Sequence, residues 1–237
     1  MKIIQLNVEK DKHREGVRSL IEKFDPDVLC LEEVIFDPSL PSFEDRFGAS
    51  GVFVPVLLDD FGRKQGTAIV SKHGLKDVEI KYYWKDKEEL LKDIHREING
   101  EFHYALIKAT ISCEGTDYKV AVTHFPVSYP GTRVSEFQMT CFENLKPMID
   151  SCDDIIFCAD LNSARGLPIY DYFAGILNDN VPKDVTTTID GALHKAGPLP
   201  FVVDCMFTSN NYDVSNMNLV DGVSDHLALL ANIVKKV

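Results

Sequence analysis

Residues that bind metals or transfer protons follow the apolar runs of this chain repeatedly. The stretch VSDHLALL places Asp225 and His226 directly before a run of apolar residues. Amide, carboxylate or imidazole side chains also end other apolar runs or lie just inside them: Asn7, Glu32 and Glu33, His124, Asp160 and Asn162, and Asp204. Any one of these is most often a turn or cap residue. Together they predict a shared site, because charged side chains in apolar surroundings must be paired or bound to metal.

These residue types define a narrow range of chemistry. Carboxylate and amide oxygens with few other donors suit Mg²⁺ or Mn²⁺, which retain water and bridge to phosphate. Two imidazoles can stabilise a phosphoryl oxyanion or protonate a leaving group, and a further aspartate can activate water. The chain has no phosphate-cradling GxxxxGK[ST] loop and no serine or cysteine in a nucleophile elbow. The residues therefore predict metal-assisted hydrolysis of a phosphoester by direct attack of water.

Length and composition bound the class of protein. The 237 residues suffice for one large domain, with 45% hydrophobic and 26% charged residues. The formal net charge of −12 argues against an extended basic face for duplex DNA, although a bound cation can reverse the field at a small phosphate site. Six cysteines without a CxxC pair are expected to be buried free thiols. Because no signal peptide and no bilayer-spanning stretch is visible, a cytoplasmic location is expected.

The apolar runs that must position these residues predict a layered α/β fold. A strand at 2–7, a helix at 11–24 and a buried strand within 25–34 predict a crossover between parallel strands. Further predicted strands are 51–58, 66–71, 77–83, 102–112, 117–125, 153–162, 201–209 and 226–234, and further helices are 132–151 and 167–176. About ten strands and a few helices predict two sheets packed face to face, with helices outside.

Four local sequence patterns add detail to the predicted fold. CEGT between two predicted strands indicates a hairpin turn. Pro55 is predicted to confine its strand to a sheet edge or a bulge, and Pro147 to kink its helix or end it early. The charged stretch 85–100 is predicted to be a solvated helix or a long loop, because its charges nearly cancel.

Seven short motifs, in order along nearly the whole chain, resemble those of the endonuclease/exonuclease/phosphatase superfamily. They are IIQLNVE, PDVLCLEEV, GTAIVSK, VTHFP, CADLN, VVDCMFTS and VSDHLAL. The resemblance implies a single domain over 1–237 with a four-layer α/β/β/α sandwich, made of two packed mixed sheets and outer helices. The chain departs from the family pattern at Glu32, Ala159 and Val202, where Gln, Gly and Arg are common; the last two positions touch the substrate side.

The resemblance implies a divalent metal, Mg²⁺ or alternatively Mn²⁺, at Glu33. Asn7 and Asp225 would lie close to the ion. Glu32 is the neighbouring candidate. Successive side chains of a strand point to opposite faces, so only one of the two glutamates can be a direct ligand.

The resemblance assigns the remaining polar residues to the water and the phosphate. Asp160 would activate the attacking water, while Asn162 and His124 would hold the scissile phosphate. His226 would stabilise the phosphoryl oxygens. Asp204 would orient the His226 ring and favour its charged form.

The leading hypothesis is therefore a metal-dependent phosphodiesterase that acts on a nucleic-acid end or a small phosphodiester. A phosphomonoesterase, a lipid-headgroup phosphodiesterase and a non-catalytic phosphate-binding module on the same fold are the alternatives. No membrane insertion is predicted, and no protein partner can be inferred. Arg165, three residues past Asn162, is predicted to reach the substrate phosphate or its leaving group.

Overall fold

The computed structural model describes residues 1–36, 50–85, 90, 102–129 and 131–236. Within these ranges the chain forms three helices and twelve strands. The helices are α1 (Arg14–Phe24), α2 (Glu136–Asp150) and α3 (Pro168–Ile176). The strands are β1 (Lys2–Asn7), β2 (Val28–Phe36), β3 (Ser50–Leu58), β4 (Lys64–Ser71), β5 (Lys76–Trp84), β6 (Tyr104–Cys113), β7 (Thr116–His124), β8 (Ile156–Asp160), β9 (Asn178–Asp179), β10 (Asp204–Thr208), β11 (Tyr212–Val220) and β12 (Ala228–Lys235).

The strands pair into two mixed sheets of six strands each, as predicted. Sheet A has the order β11-β12-β1-β2-β4-β3, and sheet B has the order β5-β6-β7-β8-β10-β9. In sheet A, β1 and β2 are parallel and are connected through α1, which confirms the predicted crossover. In sheet B, β7 and β8 are parallel and are connected through α2. The first and last long strands of the chain, β1 and β12, are antiparallel neighbours in sheet A.

Alternating side chains on the central strands build the layers of the sandwich. On β1, Ile3 belongs to the main core cluster, which includes residues of both sheets, while Ile4 packs in a second cluster with Leu20 of α1. On the outer face of sheet B, Phe157 contacts Phe173 of α3, with ring centroids 5.3 Å apart. Because β1 and β8 are covered on both faces, their sequences are mostly apolar before the residues that end them, with the buried Gln5 of β1 as the exception.

Glycine and proline shape the β3–β4 pair. β3 is the edge strand of sheet A and has an irregular register between Pro55 and Leu57, as predicted for Pro55. At Gly66 of β4, a Cβ atom would lie 2.0 Å from the carbonyl oxygen of Val54. Only glycine therefore allows the two backbones to approach this closely.

Several predicted boundaries differ from the structure. α1 begins at Arg14, after a turn in which Glu9 and Lys10 have positive φ angles of 47° and 65°. α2 begins after the capping box of Ser135 and Gln138 and continues through Pro147, so the predicted early end is wrong. β11 was not predicted as a strand.

Two other local expectations, the hairpin turn and the free cysteines, are confirmed. Glu114 and Gly115, with φ angles of 52° and 79°, form the two-residue turn of the β6–β7 hairpin. The cysteines are free, and all except the half-buried Cys152 are buried. Most of the charged stretch 85–100 lies outside the described residues. None of the three described helices is both long and apolar enough to cross a membrane.

Candidate active site

One rim of the sandwich gathers the polar residues that end the apolar runs. In sheet B, Asp160 pairs in register with His124 of β7 on one side and with Asp204 of β10 on the other. In sheet A, Asn7 at the end of β1 pairs with Glu32 of β2, and His226 lies two residues before β12. We call this end of the two sheets the site rim.

Asp160 lies at the centre of the site rim. Its Oδ1 accepts a hydrogen bond from the backbone N–H of Asn162 at 2.9 Å, and its Oδ2 accepts one from Asn7 Nδ2 at 3.1 Å. The Nε2 atoms of His124 and His226 lie 3.6 Å and 3.9 Å from the same Oδ2. These two distances exceed that of a direct hydrogen bond. The two imidazoles therefore face Asp160 across a gap in which a bridging oxygen could bind both.

His226 is oriented and charged by its carboxylate neighbours. Its Nδ1 lies 2.8 Å from Asp204 Oδ2, and the other Asp204 oxygen accepts a hydrogen bond from Gln5 at 3.1 Å. Burial opposes a charge on the ring, but the carboxylates of Asp204 and Asp160 outweigh it and raise the pKa of His226 well above its usual value. The Nδ1–H donates to Asp204, and the Nε2–H faces Asp160.

The two adjacent glutamates of β2 have different environments. The register of β2 is irregular between Leu31 and Val34, and Glu33 has a positive φ angle of 56°. Glu32 is fully buried and accepts a hydrogen bond from Gln5 at 3.1 Å. Burial, together with the charges of nearby aspartates, raises the pKa of Glu32 well above its usual value and so favours the neutral carboxyl. Glu33 is half-buried, and its Oε1 lies 3.4 Å from Asn7 Nδ2.

Acidic side chains surround Asp225. Burial raises the pKa of Asp225 to about 6, with repulsion from Glu9, Glu33 and Asp160 adding to the effect and His226 opposing it. This grouping is rich in oxygen donors, and a bound cation would cancel the repulsion among them. A further set of potential ligands, Asp160, Asp204 and His226, has donor atoms within 4.8 Å of one another. In that set Asp204 already binds both His226 and Gln5.

Asn162 connects the phosphate-side residues. Its φ angle of 45° lies in the left-handed region, which asparagine tolerates better than most residues. Its Nδ2 donates to the carbonyl of Phe125 at 3.0 Å and lies 3.1 Å from His124 Nε2. Gln138 of α2 donates to the carbonyls of both Asn162 and Pro126. The loops after β7 and β8 are therefore held together, which brings His124 and Asn162 to the same place.

Arg165 is not brought together with the other predicted site residues. Its guanidinium donates to the carbonyls of Val181 and Pro182 and forms an ion pair of 2.9 Å with Asp179. The planar group also lies over the Tyr170 ring. These contacts describe an arginine that holds the 179–185 loop to α3, and its proposed role at the substrate phosphate stays a prediction.

Two residues that the sequence analysis missed have side chains near the rim. Glu9 contributes to the raised pKa of Asp225 and binds His13 at 2.8 Å and also Lys12. Burial and the positive charge of His226 lower the pKa of His194. Glu9 follows the first strand by two residues, so its position after an apolar run could have identified it as a candidate site residue. His194 lies in a loop without a recognisable pattern.

Comparisons with known proteins show the family and the fold of this chain. The family model described as Endonuclease/Exonuclease/phosphatase family matches residues 4–226. The chain belongs to this family, which confirms the resemblance seen in its motifs. A comparison with curated proteins found no match.

Solved structures share the fold at low sequence identity. The human Nocturnin catalytic domain with bound sulfate anion is 18% identical, with a TM-score of 0.72 over 100% of this chain and 93% of that chain. The Bacteroides thetaiotaomicron VPI-5482 mannosyl-6-phosphatase Bt3783 is 12% identical, with a TM-score of 0.71 over 99% of both chains. Humanized D. rerio TDP2 is 16% identical, with a TM-score of 0.65 over 99% of both chains. At these identities the likeness establishes the fold.

Proposed function

We propose that this protein hydrolyses a phosphodiester, at a nucleic-acid end or in a small molecule, by direct attack of an activated water. One observation carries the proposal: the Nε2 atoms of His124 and His226 lie 3.6 Å and 3.9 Å from the same oxygen of Asp160. A general base and two groups able to bind a phosphoryl oxygen thus converge on one point. Membership of the family supports a phosphoesterase.

Glu33, Asn7 and Asp225 are the residues that would hold Mg²⁺, with Mn²⁺ as the alternative. Their carboxylate and amide oxygens match the donors that these ions prefer. When bound, the ion would supply positive charge that neutralises the phosphate oxygens.

The proposed roles of the other residues follow from their contacts. Asp160 accepts the proton of the attacking water, while the Asn7 amide and the Asn162 backbone hold its carboxylate in place. His226, kept charged by Asp204, donates its Nε2–H to a phosphoryl oxygen as negative charge develops there. His124 and the Asn162 amide bind the other side of the phosphate.

Two exposed aromatic side chains favour a substrate that contains a nucleobase. Phe61 is 83% exposed in the β3–β4 hairpin, and its neighbour Arg63 binds Asp11 of the loop after β1. Tyr129 is 64% exposed in the segment that follows His124. Both therefore stand at the end of the sheets where the site rim lies, and exposed aromatic rings stack on bases without regard to sequence. The name mannosyl-6-phosphatase of one structural neighbour keeps a phosphomonoester as the second candidate.

A hydrolysis panel tests the proposal. It contains bis(p-nitrophenyl) phosphate, end-modified oligonucleotides, nucleoside and sugar monophosphates, and sphingomyelin, each with Mg²⁺, Mn²⁺ or EDTA. We expect hydrolysis of diesters that is lost with EDTA and with Asp160→Asn. Faster turnover of a monoester would replace the diester assignment. Binding without turnover of any substrate would identify a non-catalytic module instead.

A further inference from the structure

A second cluster of potential metal ligands lies at the opposite end of the sheets from the site rim. Asp27 directly precedes β2, His73 follows β4 by two residues, and Cys113 ends β6. One donor atom of each side chain, a carboxylate oxygen, an imidazole nitrogen and a sulfur, lies within 4.8 Å of the other two. Asp27 is six strand residues away from Glu33, which is about 20 Å along β2. The cluster is therefore separate from the proposed active site.

The geometry does not fit a cysteine nucleophile. Asp27 Oδ1 lies 2.9 Å from His73 Nε2, and Cys113 Sγ lies 3.5 Å from the same nitrogen. In a nucleophile relay the carboxylate and the nucleophile occupy opposite nitrogens of the ring. Burial and the negative charge of Asp27 also raise the pKa of Cys113, so the sulfur stays protonated unless a cation is present.

Two of the three distances between the donor atoms are close to the edges of a tetrahedral zinc site. Zinc–sulfur bonds of about 2.3 Å and zinc–nitrogen or zinc–oxygen bonds of about 2.05 Å give S···N and N···O separations of about 3.5 Å and 3.3 Å. The corresponding distances here are 3.5 Å and 2.9 Å, so on binding an ion the Asp27 oxygen would move a few tenths of an ångström away from the His73 nitrogen. The side chains of His73 and Asp27 are 31% and 29% exposed, which leaves the fourth position open to solvent.

The backbone holds two of the three ligands in place. The other carboxylate oxygen of Asp27 accepts a hydrogen bond from the backbone N–H of Lys2 at 2.6 Å. The backbone N–H of His73 donates to Ser71 Oγ at 3.1 Å. Asp27 and His73 lie at strand ends of sheet A, whereas Cys113 belongs to sheet B. A shared ion would therefore join the two sheets.

We propose that Asp27, His73 and Cys113 bind Zn²⁺ and that the ion joins the two sheets at the end opposite the site rim. On binding, the Cys113 thiol releases its proton to solvent and coordinates as the thiolate, and the neutral His73 ring coordinates through Nε2. Thiolate and imidazole ligands favour zinc over the hard cations that suit the site rim.

Cobalt substitution tests the site because only a sulfur ligand gives a thiolate-to-cobalt charge-transfer absorption. Tag-free protein is treated with a chelator, and Co²⁺ is then added to the wild type and four variants. We expect the near-ultraviolet charge-transfer band in the wild type and in Glu33→Ala, which removes the proposed ligand at the rim. Cys113→Ser and His73→Ala should lose the band, while the matched control Cys152→Ser should keep it.

Zinc competition gives the second readout. Zn²⁺ should displace Co²⁺ and raise the melting temperature of the wild type and of Glu33→Ala. His73→Ala should weaken Zn²⁺ binding by more than the ~10–100-fold typical of losing a group that merely supports a ligand. If the wild type shows no thiolate band, or Cys113→Ser shows the same band, the proposal is wrong. Should Cys113→Ser fail to fold, an unchanged band in the partly exposed His73→Ala variant would overturn it equally.

Discussion

At the scale of single residues, the charge of His226 depends on its carboxylate neighbours. Asp204 binds its Nδ1 at 2.8 Å and the two carboxylates nearby raise its pKa. We expect His226→Ala to lower kcat by on the order of 10²–10⁴, because the group that stabilises the developing phosphoryl charge is lost. His226→Gln should recover little of this rate, since an amide donates a hydrogen bond without carrying the charge.

Steady-state kinetics on the best diester of the panel measure this loss, and thermal unfolding of each variant shows whether the fold is retained. Asp204→Asn should also lower kcat, with a smaller effect on KM, because it removes the charge that keeps the ring protonated. A His226→Ala enzyme within a few-fold of the wild-type rate would mean that the residue only completes a turn.

The two glutamates of β2 should respond oppositely to substitution. Glu33 faces the site rim, and Glu33→Ala should abolish metal-dependent turnover and weaken Mg²⁺ binding measured by calorimetry. Glu32 is fully buried and bonded to Gln5, and burial raises its pKa well above the usual value, so the nearly isosteric Glu32→Gln should keep activity within a few-fold. If Glu32→Gln lost Mg²⁺ binding while Glu33→Ala kept it, the ligand assignment would have to be exchanged.

The pKa of Asp225 predicts a pH dependence for metal binding. With a pKa of about 6, this carboxyl is neutral at lower pH and must release a proton before it can bind a cation. Mg²⁺ affinity should therefore be nearly constant above about pH 7 and fall by up to ~10-fold per pH unit below 6. Calorimetric titrations between pH 5 and 8 check this, and Asp225→Asn should bind more weakly with a flatter profile. An unchanged slope in that variant would assign the proton to another group.

At the scale of elements, the sequence predicted best those strands that are covered on both faces. β1 and β8 are mostly apolar and end in the site residues Asn7 and Asp160, and β2 is apolar up to Glu32, so the sequence pattern predicted where these residues lie. β11 was missed because it is an edge strand that alternates exposed polar residues, such as Asp213, Ser215 and Asn218, with half-buried ones. The strand predicted at 201–209 begins only at Asp204, because Val202 and Val203 bond to the loop after β8 instead of to a sheet.

The sequence predicted those site residues that lie at the ends of strands. It predicted less well the residues whose side-chain direction depends on the local backbone conformation. Glu33 has a positive φ angle, which is uncommon for glutamate and cannot be predicted from the EE pair in the sequence. Arg165 is near Asn162 in sequence, but its guanidinium donates hydrogen bonds to carbonyl oxygens of the 179–185 loop. His194 lies near the rim in a loop, and loops have no hydrophobic periodicity from which its position could be predicted.

Gly66 provides a test of element packing. Because a Cβ there would lie 2.0 Å from the Val54 carbonyl oxygen, Gly66→Ala must push β3 and β4 apart. We expect it to lower the free energy of unfolding by about 1–3 kcal/mol, the usual cost of overpacking. The matched control is Gly175→Ala in α3, where a Cβ meets nothing within 4 Å. That control should be neutral or stabilise by up to ~1 kcal/mol in urea unfolding. Equal effects of the two changes would refute the packing argument.

At the scale of the whole molecule, the net charge of −12 predicts how salt should affect the hydrolysis of large and small phosphodiesters. A protein that grips duplex DNA through cations loses affinity as salt rises. Here the overall repulsion should be screened by salt, so kcat/KM on a long duplex should rise between low and physiological ionic strength. Turnover of the small bis(p-nitrophenyl) phosphate should change little over the same range. A steep fall on duplex would reveal a cationic surface and favour a nuclease of long DNA.

The pairing of β1 with β12 has a consequence for how the chain is made. Asn7 is synthesised about 220 residues before Asp225 and His226, although all three meet at one rim. At ribosomal speeds of about 5–20 residues per second, the partner strand of β1 follows after roughly 10–45 s. During that interval one edge of β1 has no strand to pair with, and the rim lacks the histidine that the proposed chemistry requires. On the proposed function, the nascent chain would therefore become active only after β12 has emerged, and until then the open edge of β1 is the surface that a ribosome-associated chaperone would need to cover.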